Sequence, residues 1–128
     1  MTLPHVTLLY GGLLTLLTTA LGMNVTRVRL VLKVGAEPGP LPRRLFTAIR
    51  AHGNAVEWTP LLVIMLLLVE LSGGASSWLH VAGGTLFLGR ALHALGFLTK
   101  VKTTVPGIML TWCVGLWLPV WALLLHFK

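Results

Sequence analysis

The stretch "RAHGNAVEWTP", Arg50 to Pro60, sets an arginine, an amide and a carboxylate at Arg50, Asn54 and Glu57, immediately ahead of the apolar run "LLVIMLLLVELSGG". On a helix, spacings of seven, four and three residues return Arg43, Arg50, Asn54 and Glu57 to one stripe, within about 60° of one another. A guanidinium grips a carboxylate through two parallel N–H···O bonds, a carboxylate holds an ammonium, and an amide both donates and accepts. The stripe therefore suits a small zwitterionic or anionic ligand. It equally suits a clamp between helices, with Glu57 paired to an arginine and Asn54 bridging. A second polar pair, Arg90 and His93, stands three residues apart with Phe97 on nearly the same face. Arg90 is a partner for Glu57 or for a ligand. His93 fits a helix-packing hydrogen bond better than metal ligation, because no second histidine follows at i+3 or i+4. Arg29, Lys33, Arg43 and Arg50 outnumber Glu57, so an anionic partner would complete the set.

These groups must be carried by membrane helices. Of 128 residues, 55% are hydrophobic and only 10% charged, against about 25% charged in soluble domains, and the mean hydropathy is +0.87. The apolar residues fall in four blocks, each near the roughly 20 residues that span hydrocarbon. They predict helices over about 4–34, 42–71, 75–98 and 104–126, joined by "GAEPGPLP", "SGGASS" and "TKVKTT". Short connections make sequence neighbours antiparallel, giving one all-α domain, an up-down four-helix bundle. The first block has no basic segment ahead of it and reads as a spanning helix rather than a cleaved leader. The net charge of +7 follows topology: Arg27, Arg29, Lys33, Arg43, Arg44 and Arg50 lie between the first two blocks, and Lys100 and Lys102 between the last two. Those connections are expected on the cytoplasmic side, with both termini opposite. This distribution argues against nucleic-acid binding and for contact with membrane lipids. Trp58 and Trp78 are expected at span ends. Cys113 is the only cysteine, which excludes an internal disulfide and a multi-thiolate metal site, and no metal site is expected. No pattern suggests a Ser/His/Asp or Cys/His nucleophile or a phosphate-cradling glycine loop. A reactive thiol, if one is used, must come from a ligand.

The helix-2 residues resemble the signature of the MAPEG family, membrane-associated proteins in eicosanoid and glutathione metabolism, whose second helix carries Arg-Ala-(His/Gln)-x-Asn-x-x-Glu-(aromatic)-x-Pro. Arg50, Ala51, His52, Asn54, Glu57 and Pro60 fit it, and Trp58 stands where the family often has tyrosine. From about Arg27 to Phe97 the chain is most similar to the little-characterised bacterial inner-membrane branch. The resemblance implies an inner-membrane homotrimer with glutathione between subunits near the cytoplasmic face. Arg29, Arg50, Asn54 and Glu57 would hold it, His52 would reach across the interface, and Trp58 and His93 would be further contacts. Transferase members stabilise the glutathione thiolate with an arginine at the start of helix 4. Here that segment is "KVKTTVPG", with Thr104 near the position, so Arg90 and Lys102 are the candidate thiolate stabilisers. Tyrosines common on helix 3 of the family are replaced by His93 and Phe97. Two functions stay open: a glutathione transferase or peroxidase acting on lipophilic electrophiles, and a non-enzymatic membrane protein whose stripe clamps a trimer or binds another anionic ligand or a lipid headgroup.

Overall fold

The computed structural model describes residues 3–35 and 39–127. It contains four helices, α1 (His5–Leu32), α2 (Arg43–Leu71), α3 (Ser76–Leu98) and α4 (Thr104–His126). All four are long and apolar enough to cross a membrane. Without water in the hydrocarbon, every backbone N–H and C=O must be satisfied inside the segment, which is why uninterrupted helices form here. Three residues of the expected first loop, Ala36, Glu37 and Pro38, lie outside the described residues.

α1 ends at Leu32, short of the expected Val34, because Lys33 takes a left-handed conformation (φ 53°). The Val34 amide then bonds back to the Arg29 carbonyl at 3.0 Å, and the Arg29 side chain donates to the Gly35 carbonyl at 2.8 Å. This is a helix C-cap made without a glycine at its left-handed residue.

α2 and α3 pack against each other and against both remaining helices, while α1 and α4 do not touch among the described residues. The antiparallel α1–α2 pair is fastened at one end by Glu70. Its carboxylate accepts the backbone amides of Val6 and Thr7 at 2.8 and 2.7 Å, satisfying N–H groups that the first turn of α1 leaves without intrahelical partners. Inward-facing Leu14, Leu62, Leu66, Val69, Leu79, Leu86, Val114 and Leu118 form the main buried cluster in that half. In the other half the buried clusters are smaller and rich in alanine, with Ala51, Ala55 and Ala94 around Leu21 and Ala48 beside Val28 and Leu45. Small side chains there let backbones approach and leave space for the polar groups.

Candidate functional site

The site is organised by Arg90. Its side chain is almost completely enclosed, with the residue 2% exposed. One terminal nitrogen donates to Asn54 Oδ1 on α2 and lies 3.2 Å from His93 Nδ1 one turn along α3. The other reaches Thr111 Oγ1 on α4 at 3.4 Å. An arginine only donates, so Asn54 must present its carbonyl and His93 its unprotonated Nδ1, which puts the proton of a neutral His93 ring on Nε2. Thr111 donates its own hydrogen to the Gly107 carbonyl at 2.9 Å, leaving its lone pairs for Arg90. Three groups on three helices thus close on one cation. The Asn54 amide N–H₂ is left available to a further acceptor.

Glycines explain how α3 and α4 come close enough for this. A Cβ on Gly107 would stand 2.5 Å from the His93 amide nitrogen and 2.6 Å from the Gly89 carbonyl, and one on Gly89 would meet the Gly107 carbonyl and Thr111 Oγ1 at 3.1 Å. The backbones therefore touch at the level of Arg90, and Thr111, one turn beyond Gly107, is delivered to it. The sequence reading missed Thr111, Gly89 and Gly107 as site-forming residues. The available signal was the lone hydroxyl of Thr111 within "GIMLTWCVG", which in an apolar helix has to find a partner.

Arg50 and Glu57 flank Asn54 on α2, and both are exposed on the single chain. Arg90 is not paired directly with Glu57, one of its two expected partners, but bonds to Asn54, His93 and Thr111. Trp58 lies midway along α2, at the start of its apolar run, packed against the main buried cluster, with its ring 3.8 Å from where a Cβ on Gly115 of α4 would stand. With Trp112, Gly115 and Leu116 it lines a cavity of about 420 Å³.

His52 and Arg29 belong to a different face. The His52 ring packs on Gly22 of α1, with Nε2 3.1 Å from where a Cβ would be. Two residues of helix turn His52 by about 200° from both Arg50 and Asn54, so it faces α1 while they face away from it. Arg29 lies seven residues after Gly22, nearly on the same side of α1, and is half-buried. Each chain thus carries two half-sets: Arg29 with His52, and Arg50, Asn54, Glu57 and Trp58 with Arg90 and His93.

Phe97 continues the second set toward the basic end of the bundle, its ring 5.0 Å from that of His93. Lys102 is exposed in the α3–α4 connection and shares a concavity with Arg43, Lys100 and Thr104. Thr104 begins α4 against Gly96, so close that a Cβ on Gly96 would overlap its hydroxyl.

A sequence model of the MAPEG family matches residues 7–124. The chain belongs to the MAPEG family. The match extends well beyond the Arg27–Phe97 region that carries the recognisable motifs, taking in most of α1 and α4. Over 131 aligned residues this MAPEG chain is 31% identical to the inner membrane protein YecN of Escherichia coli (strain K12), with 96% of the chain and 99% of YecN covered. The inner membrane protein YecN of Escherichia coli O6:H1 (strain CFT073) matches at the same identity and coverage. As a MAPEG protein it is a multi-pass membrane protein, and its four apolar helices fit that assignment.

Proposed function

We propose that this MAPEG protein is an inner-membrane homotrimer, with its basic connections cytoplasmic and its termini opposite, that binds glutathione between neighbouring subunits. The observation carrying this reading is the exposure of Arg50 and Glu57 on a helix that spans the membrane. A charge facing lipid at membrane depth costs about 2.5–3.5 kcal/mol on insertion scales, so such groups face protein, water or a ligand. A second subunit presenting Arg29 and His52 opposite Arg50, Asn54 and Glu57 covers both charges and joins the two half-sets.

In that site Arg50 and Arg29 hold carboxylates of the tripeptide, Glu57 holds its ammonium, and the free Asn54 amide donates to a peptide carbonyl. Trp58 and His93 line the wall. Arg90, enclosed by protein, acts on the ligand through Asn54. Lys102, exposed next to Thr104, is the cation able to favour a thiolate by charge. The reaction is attack of the glutathione thiolate on an electrophilic carbon of a lipophilic compound entering from the bilayer. A C–S bond forms, the leaving group departs with its electron pair, and the thiol proton goes to water. Isothermal titration of the purified protein with glutathione tests the binding step. Saturable binding, lost in Arg50→Ala, is expected; an intact trimer that takes up no glutathione contradicts the proposal.

The internal Asn54–Arg90–His93–Thr111 cluster favours a second reading, in which the polar stripe is a non-enzymatic clamp. Conjugation of glutathione to a generic aromatic electrophile separates the two: the transferase gives a rate above background, the clamp gives none. Glu57→Ala chains that no longer form trimers would favour the clamp.

A further inference from the structure

Cations gather a second time, at the basic end of the bundle. Arg43 and Arg44 at the start of α2 and Lys100 in the α3–α4 connection line a concavity of about 830 Å³ with Thr47, Thr99 and Thr104. An adjoining concavity of about 540 Å³ adds Lys102. Among the described residues no carboxylate lines either one, and neither α2 nor α4 carries an acid in its first turn. Of the chain's three acids, Glu70 is occupied at the far end of the bundle and Glu57 lies almost four turns farther along α2; Glu37 is outside the described residues.

The connection bearing the lysines is tied down. Thr103 Oγ1 donates to the Leu92 carbonyl at 2.8 Å, Thr99 Oγ1 donates to the Leu95 carbonyl at 2.8 Å, and the Val101 amide donates to Thr99 Oγ1 at 3.2 Å. With the Thr47 hydroxyl directed to the Arg44 carbonyl at 3.1 Å, the cations and the Thr104 hydroxyl are the groups left to hold a ligand. Around them Phe46, Leu98, Val101 and Val105 are 43–67% exposed. A cationic hollow rimmed by bare hydrocarbon, at the end of membrane-spanning helices, matches a phosphate attached to acyl chains better than a free anion.

We propose that this hollow binds the phosphate of an anionic phospholipid headgroup, held by Arg43, Arg44 and Lys100, with the acyl chains lying along Leu98, Val101 and Val105. The site is separate from the glutathione wall. Native mass spectrometry of the intact detergent-solubilised protein, titrated with dioleoyl-phosphatidylglycerol or dioleoyl-phosphatidylcholine, tests it. The anionic lipid should bind about tenfold more tightly or better. Arg44→Gln and Lys100→Gln should each weaken it about fivefold, Lys100→Arg should restore it, and Lys33→Gln, at the same end but outside the hollow, should leave it unchanged. Equal affinity for the two lipids, no loss in the Arg44→Gln/Lys100→Gln double variant, or an equal loss in Lys33→Gln would overturn the proposal. Displacement of the lipid by inorganic phosphate would make this a soluble-anion site, and displacement by glutathione would merge it with the other wall; either result also overturns it.

Discussion

Arg90 is held by neutral groups only, so its substitutions separate packing from charge. Arg90→Ala removes a large enclosed side chain and leaves Asn54, His93 and Thr111 without a donor. A loss of about 2–5 kcal/mol is expected in reversible unfolding in mixed detergent micelles. Asn54 gives a sharper distinction. Asn54→Asp keeps an acceptor for Arg90 and adds an attractive charge, so stability should hold, but the free amide donor is lost and a carboxylate now faces an anionic ligand. Titration calorimetry should show glutathione affinity falling at least about tenfold in a variant that unfolds like the parent. Equal losses of stability and affinity would mean that Asn54 is only a clamp. Arg50, Asn54 and Glu57 could be grouped from their spacing alone. The ligands of Arg90 could not, because a helical period places a residue on a face without saying which neighbouring helix meets that face.

At the scale of the elements, hydropathy and the Gly/Pro-rich breaks mark out four helices because lipid permits few other backbone arrangements. Their lateral packing depends on small residues whose effect is invisible until the partner is known. Gly107 is the clearest case. Gly107→Val would drive a branched side chain into the His93 amide and the Gly89 carbonyl, with a loss of about 1–3 kcal/mol and separation of Thr111 from Arg90, seen as faster hydrogen exchange along α3 and α4. The Glu70 fastening was equally hidden, since a lone glutamate near a helix end does not announce that it caps the helix before it. Glu70→Ala removes both acceptors from the Val6 and Thr7 amides, and these two amides should lose their protection from exchange with about 1.5–3 kcal/mol of stability. Unchanged protection at both would contradict the capping role.

For the whole molecule, the decisive feature is that one chain divides its polar groups between two faces, Arg29 with His52 and Arg50 with Asn54 and Glu57. In the proposed homotrimer, a ring of identical subunits would bring the first face of one chain to the second face of the next, the same heterologous contact repeating until the ring closes. The account therefore predicts complementation. Chains carrying Arg50→Ala alone, or Arg29→Ala together with His52→Ala, should bind no glutathione. Co-assembled at equal amounts, they should recover about one quarter of the parent's sites, the chance that a random neighbouring pair supplies an intact half from each chain. Calorimetric stoichiometry of the mixed trimers is the most direct measurement of a shared site. Recovery near that fraction is the predicted result, and mixed trimers with no binding above that of either variant alone would contradict the account.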